Sequence, residues 1–247
     1  MINTSEEFEI TADRLCRYFP LESKITSKEV SSILNKTFFQ INADKDRLAS
    51  DFETNKYVLF RKFIPIKLAR AIEFSLPYIT SRYQHINAKA GGDWSVYMLD
   101  ESLRAFSNTQ KSDAFSTLIL SEPLVRLLCY IAGSKIENLL TTKRWINYYK
   151  LGEYITAHKD TTGDFQAVLC LTAPPKINGG QLIIENIAEL TLNTGDLLFF
   201  RASSVRHWML PLKRTKKLSD PIRVTTICRF YEIGGKDPYS AVAVYDD

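Results

Sequence analysis

From residue 143 onward the side-chain pattern of this chain changes period. Upstream, apolar residues recur every three or four positions; downstream they alternate, and turn residues interrupt them at short intervals. The alternation predicts strands at 144–149, 153–159, 165–171, 180–184, 190–192, 197–200, 205–210 and 222–231. Gly152, Thr162-Gly163-Asp164, Asn178-Gly179-Gly180 and Asn193-Thr194-Gly195-Asp196 mark turns between them. Many short strands joined by short turns bury their apolar faces by packing as a sandwich or a jelly roll.

The upstream half reads mostly as helices. Helical spacing covers 5–18, 27–36, 112–120 and 122–133, with Thr26-Ser27-Lys28-Glu29 as an N-cap and acidic first turn. Tyr57-Val58-Leu59-Phe60 reads as a strand, and Pro65 opens a helix through Phe74. The segment 87–107, with Gly91-Gly92-Asp93-Trp94, fits a mobile loop or an irregular strand pair, and is a candidate lid. No repeat or low-complexity linker divides the chain. The expected fold class is therefore α+β, mainly β, as one domain over 1–247. A helical half, 1–142, would pack on one sheet of a jelly-roll core, 143–231.

Composition narrows the function classes. With 45% hydrophobic and 12% aromatic residues the chain can build a sizeable core. A net charge of +4 is too small to imply nucleic acid, and the basic run Lys213-Arg214-Thr215-Lys216-Lys217 reads as a solvated loop. Cys16, Cys129, Cys170 and Cys228 have no C-x-x-C spacing and sit among apolar neighbours, as buried free thiols do in a reducing compartment. The polar, acidic N-terminus does not look like a signal peptide, and no apolar run reaches bilayer length. A soluble, cytoplasmic protein with no membrane partner is the simplest expectation.

Only three histidines occur, His85, His158 and His207. His158 and Asp160 lie two apart on a predicted strand, so both side chains point the same way. His207, on a distant strand, is the natural second imidazole. Two His and one carboxylate on one face of an ion, with the other face open, make the facial triad of non-heme Fe(II) oxygenases. A 2-oxoglutarate co-substrate would also need a cation for its far carboxylate, and arginine can grip a carboxylate with two parallel hydrogen bonds. Arg223 opens the last strand, with Thr225 and Arg229 on its face by parity. Alternation turns Arg206 away from the triad, and Trp94, Trp145, Tyr148 and Trp208 read as core.

The ordered series Tyr149-x-x-Gly152, His158-x-Asp160, Asn178-Gly179-Gly180-Gln181-Leu182, Gly195-Asp196-Leu197, His207 and Arg223-x-Thr225 resembles the Fe(II)/2-oxoglutarate-dependent dioxygenases, in particular their prolyl-hydroxylase-like branch. The resemblance spans roughly 143–231. It implies a double-stranded β-helix (cupin-like) core, with His158, Asp160 and His207 as catalytic iron ligands. It further implies that Arg223 holds 2-oxoglutarate, supported by Thr225 and Tyr149. The implied reaction consumes O2 and 2-oxoglutarate, releases succinate and CO2, and hydroxylates a C–H of a small polar molecule, such as an amino acid, or of a protein side chain; ascorbate would serve as reductant. A carboxylate at 160 favours hydroxylation over halogenation. Two other functions fit the same residues. Asn147-x-Tyr149 and the Arg223/Arg229 pair also resemble AlkB-type nucleic-acid demethylases, although the Asn178–Leu182 segment and the modest charge do not favour a nucleic-acid partner. The third reading is a non-catalytic metal-binding jelly roll, whose site would be closed and four-coordinate.

Overall fold

In this computed structural model the described residues are 4–20, 23–76, 84–86, 92–100, 113–134, 139–160, 163–232 and 244–245. Six helices are found among them: α1 (Thr4–Cys16), α2 (Ser27–Ala43), α3 (Lys45–Asn55), α4 (Ile66–Ser75), α5 (Ala114–Ile119) and α6 (Glu122–Ala132). Thr26 caps α2 as its sequence predicts, its hydroxyl accepting the Glu29 N–H at 3.2 Å. Helix α6 starts with Pro123 in its first turn and stops at Gly133, whose φ of 69° is left-handed.

Two helical features depart from the expected pattern. Helix α2 runs seven residues beyond the predicted 36, to Ala43. Helix α3 was not expected at all, because its sequence is mostly polar. Arg47 bridges Asp44 at 2.8 Å and Asp51 at 2.9 Å along its exposed side. Such surface pairs stabilise little. Its anchor is Phe52, buried and stacked on Phe199 at 5.2 Å between ring centroids.

The strands are β1 (Tyr57–Phe60), β2 (Gln84–Ile86), β3 (Gly92–Asp100), β4 (Leu139–Tyr149), β5 (Tyr154–Lys159), β6 (Phe165–Thr172), β7 (Leu182–Ile184), β8 (Ala188–Leu190), β9 (Leu197–Phe200), β10 (His207–Met209), β11 (Arg223–Glu232) and β12 (Val244–Tyr245). All pair antiparallel, in the path β1-β9-β6-β11-β4-β3-β5-β10-β7-β8, with β12 beside β5 and β2 beside β3. Strand β4 begins at Leu139, earlier than the predicted 144. Where 190–192 was expected, β8 ends at Leu190.

The 92–100 part of the candidate lid is a strand. It pairs with β4 through Ser95–Tyr148 and with β5 through Gly92–Ile155, and so joins the first run of strands to the second. The strand-pair alternative holds there, with β2 opposite β3; residues 87–91 and 101–107 lie outside the described residues.

The first run, β1-β9-β6-β11-β4, carries the helices on one face. Phe52, Leu68, Ile72, Phe115 and Leu128 from the helices form a single core with Phe165, Leu169, Phe199, Val224 and Phe230 from the strands. A second, smaller core lies on the opposite face, around Cys170, Leu198, Phe200, Ile184 and Leu192. The alternation of β6 and β9 explains this: each strand is buried on both faces, so Leu197 and Phe199 face the helices while Leu198 and Phe200 face the second run. The turn Asn193-Thr194-Gly195-Asp196 locks the entry to β9. Its Gly195 has φ of +90°, and an added Cβ would lie 2.1 Å from the Ile64 carbonyl oxygen. Cys129, Cys170 and Cys228 are buried free thiols and Cys16 is partly buried. No helix among the described residues is long and apolar enough to cross a membrane.

Candidate metal centre

Register brings the two imidazoles together. β5 and β10 are antiparallel neighbours, and His158 is the Cα partner of His207. Directly opposed residues on one face touch, and the ring centroids are 4.4 Å apart. His158 Nδ1 lies 2.8 Å from the Thr156 carbonyl oxygen and His207 Nδ1 lies 3.2 Å from that of Val205. An N–H at each Nδ1 satisfies those carbonyls and leaves each Nε2 lone pair for a ligand. Burial pushes His207 down to about 4, against which the Asp160 carboxylate pulls only in part. Its imidazole is therefore neutral at pH 7, the form that coordinates metals.

Asp160 stands just past the end of β5, its N–H donating to the Ala202 carbonyl at 3.3 Å. Oδ1 is 3.9 Å from His158 Nε2, and Oδ2 is 3.9 Å from His207 Nε2. All three side chains are buried, and one ligand atom from each lies within 4.8 Å of the others. Metal–nitrogen and metal–oxygen bonds of about 2.0–2.2 Å span such gaps with a single ion. Among the described residues no other group of three or more His, Cys, Asp or Glu is placed to hold a metal.

The opposite wall comes from β4, β6 and β11. It closes a cavity of about 230 Å³ that Tyr149, Asn147, Gln166, Arg223, Thr225 and Arg229 share with the triad. Arg223 is the Cα partner of Tyr149, and Thr225 that of Asn147. The predicted binding side chains thus stand side by side. Arg223 is 4% exposed and its Nη1 donates to the Gly180 carbonyl oxygen. Its Nε and the Asn147 Oδ1 are buried with no hydrogen-bond partner. Unmet polar atoms in a cavity carry a desolvation cost that a polar ligand would relieve. Gly180, with φ of +74°, packs against Leu212: an added Cβ would sit 2.6 Å from Leu212 Cδ2 and in ordinary contact, 3.7 Å, with Arg223 Cδ.

The Asp160 carboxylate is held from this wall. Arg229 Nη2 donates to Oδ1 at 2.7 Å, and Gln166 Nε2 donates to Oδ2. Sequence parity placed Arg229 on this face without its partner. Gln166 was missed, although a lone glutamine in the otherwise apolar strand Phe165–Thr172 is the kind of buried polar residue that asks for a partner. Trp145 and Trp208, read as core, line the cavity instead. Arg206 pairs with Glu185 at 3.0 Å, in line with its turning away from the triad. The basic run Lys213–Lys217 is an exposed loop, as expected. His85 lies on β2, opposite Ser95.

No protein-family model and no curated protein sequence matches the chain. Solved structures do. A 2OG-Fe(II) oxygenase family oxidoreductase from Burkholderia pseudomallei superposes with a TM-score of 0.58 at 16% identity, over 79% of this chain and 94% of its own. A Trichoplax adhaerens prolyl hydroxylase, in complex with a hypoxia inducible factor oxygen degradation domain peptide fragment, gives 0.58 at 13% identity, over 78% and 93%. HygX from Streptomyces hygroscopicus, with nickel and 2-oxoglutarate bound, gives 0.55 at 10% identity, over 81% and 96%. At these identities the likeness is one of fold: the chain has the fold of the 2-oxoglutarate–Fe(II) oxygenases.

Proposed function

We propose that the protein is an Fe(II)- and 2-oxoglutarate-dependent dioxygenase on a double-stranded β-helix core. The observation that carries this reading is the meeting of His158, Asp160 and His207 in one cavity with Arg223. The residues suit the group. Both imidazoles meet a backbone carbonyl through Nδ1, which turns Nε2 toward the shared cavity, Asp160 supplies the one charged ligand, and the far side of the cavity offers polar atoms rather than a fourth metal ligand. A closed structural site would need that fourth ligand. Ferrous iron, when bound, supplies O2 activation coupled to decarboxylation of the keto acid, with succinate and CO2 as products.

The chain's own residues have defined tasks in this scheme. His158, Asp160 and His207 would hold the ion, which would supply the coordination sites for the keto acid. Arg223, with Thr225 beside it and Tyr149 across the strand pair, grips the distal carboxylate and thereby orients the keto end. Ile227, Phe200, Val168 and Leu182 line the same cavity with apolar surface and keep water from it. The substrate is a small polar molecule or a protein side chain, and the reaction is C–H hydroxylation. The peptide carried by the Trichoplax hydroxylase supports including protein side chains. The AlkB-type alternative is weaker, because a net charge of +4 gives little attraction for a polyanionic substrate.

The test is succinate release from a panel of amino acids, peptides and nucleotides, with Fe(II), 2-oxoglutarate, O2 and ascorbate. His158→Ala is expected to abolish it. Turnover that survives His158→Ala, or no succinate with any substrate class and none in the uncoupled blank, overturns the reading.

A further inference from the structure

The charge of the metal centre is set from outside its three ligands. Among the described residues lining the cavity, Asp160 brings the only negative charge, and Arg229 lies on it at 2.7 Å. That side chain is confined by its neighbours. Its guanidinium carbon lies 5.0 Å from the centre of the Trp145 ring, and the side chain is 14% exposed. Its stem passes so close to Gly163 that an added Cβ there would lie 2.4 Å from Arg229 Cγ. Gln166, its cross-strand partner, takes the other carboxylate oxygen with a neutral amide. Two jobs are therefore divided between two residues. Gln166 can orient the carboxylate without changing the charge, whereas Arg229 cancels it.

We infer that Arg229 is a positioning residue that governs charge: it weakens the binding of a divalent ion alone and strengthens that of an anionic chelate, so that ion and co-substrate are held as a pair. This rests on the reading of His158, Asp160 and His207 as the metal ligands. A dication entering the site meets a carboxylate whose charge is already offset, and a guanidinium one carboxylate away, on the order of 5 Å, in a low-dielectric cavity. Arg223 adds a second positive charge to the same cavity. A dicarboxylate reverses the balance, because it is attracted by the ion and by both arginines. Losing Arg229 shifts the two affinities in opposite directions, which loss of structural support does not do. Removing a group that merely orients a ligand lowers metal affinity, typically 10–100-fold.

The experiment uses the metal-stripped full chain, titrated calorimetrically with Mn(II), and the Mn(II)-loaded chain titrated with 2-oxoglutarate. For Arg229→Gln we expect Mn(II) alone to bind at least tenfold more tightly, and 2-oxoglutarate at least threefold more weakly. Arg229→Lys keeps the charge and stays within threefold of wild type in both titrations. Gln166→Leu weakens Mn(II) binding. Arg229→Met, with an apolar stem to lie on Trp145, takes the place of Arg229→Gln if the latter fails to fold. Neutral variants that bind Mn(II) no more tightly than wild type overturn the inference, as does a lysine variant that behaves like them. If wild type itself binds Mn(II) no better than His158→Ala, the metal-centre reading fails and this inference with it. Wild-type binding that needs His158 but ignores Arg229 removes the inference alone.

Discussion

Replacing Arg223 tests the proposed co-substrate wall directly. The side chain is 4% exposed and lies beside Thr225 and Tyr149 in the cavity wall. A buried guanidinium gripping a carboxylate makes two charge-assisted hydrogen bonds, each contributing roughly 1.5–3 kcal/mol. Arg223→Gln removes the charge and the fork together, at a cost of roughly 3–4 kcal/mol, because the two bonds are not fully additive. At about 1.4 kcal/mol per decade, that weakens 2-oxoglutarate binding on the order of 10²- to 10³-fold. Arg223→Lys keeps a point charge and loses the fork, so its loss is smaller, roughly 10- to 30-fold. The Gly180 carbonyl, now bonded by Nη1, loses its partner in the glutamine variant, which costs about 1–3 kcal/mol of folding stability. The assay is calorimetric titration of 2-oxoglutarate into Mn(II)-loaded protein, with Mn(II) affinity and urea unfolding as controls. A folded, metal-binding Arg223→Gln protein whose 2-oxoglutarate affinity stays within threefold of wild type would falsify the assignment.

Three further outcomes follow from the packing. Gly195→Ala forces a side chain onto a backbone at φ +90° and to within 2.1 Å of the Ile64 oxygen; we expect a loss of about 3 kcal/mol or more in urea unfolding, and a loss under 1 kcal/mol would contradict that geometry. Phe52→Ala opens a cavity against Phe199 and Phe165, with an expected loss of about 3–5 kcal/mol, readable as a lowered Tm together with early protease cleavage in 45–55. Burial pushes the Cys170 and Cys228 thiols up to about 11 and 12. The unfolded thiols, at 9.0, ionise first, so the stability these groups contribute is intact below pH 9 and fades as pH rises through 11 and 12. At pH 10.5 about 2 kcal/mol is lost per cysteine relative to pH 8.5, and Cys228→Ala flattens its share of that slope. Folded protein at pH 8.5 is expected to leave both thiols unlabelled by iodoacetamide, whereas urea exposes them.

The parts of the fold legible in the sequence share one property: a local period or a local spacing decides them. His158 and Asp160 were readable as a pair because residues two apart at the end of a strand tend to share a face. Arg223 and Thr225 were readable for the same reason. The turn at Gly195 could be found, since no other residue tolerates that φ beside the Ile64 carbonyl. Helix α3 was not found, because only Leu48 and Phe52 mark its inner side, and one buried phenylalanine leaves no periodicity to read. The strand character of 92–100 came from pairing with β4 and β5, both distant in sequence.

The grip on Asp160 belongs to a third class, in which strand order decides the contact. Gln166 and Arg229 are separated by most of the strand-rich half of the chain, yet β6 lies beside β11 and register places them opposite one another. Nothing local to either residue announces that neighbour. Parity could place Arg229 on the cavity face, where it competes with Arg223 for the role of co-substrate anchor. Only the partner separates the two: Arg229 reaches a carboxylate of the chain, and Arg223 reaches a backbone carbonyl. A guanidinium already paired has less to offer an incoming dicarboxylate than one holding a neutral carbonyl. The two arginines, equivalent by spacing, therefore differ in what they contact because of the strands across from them.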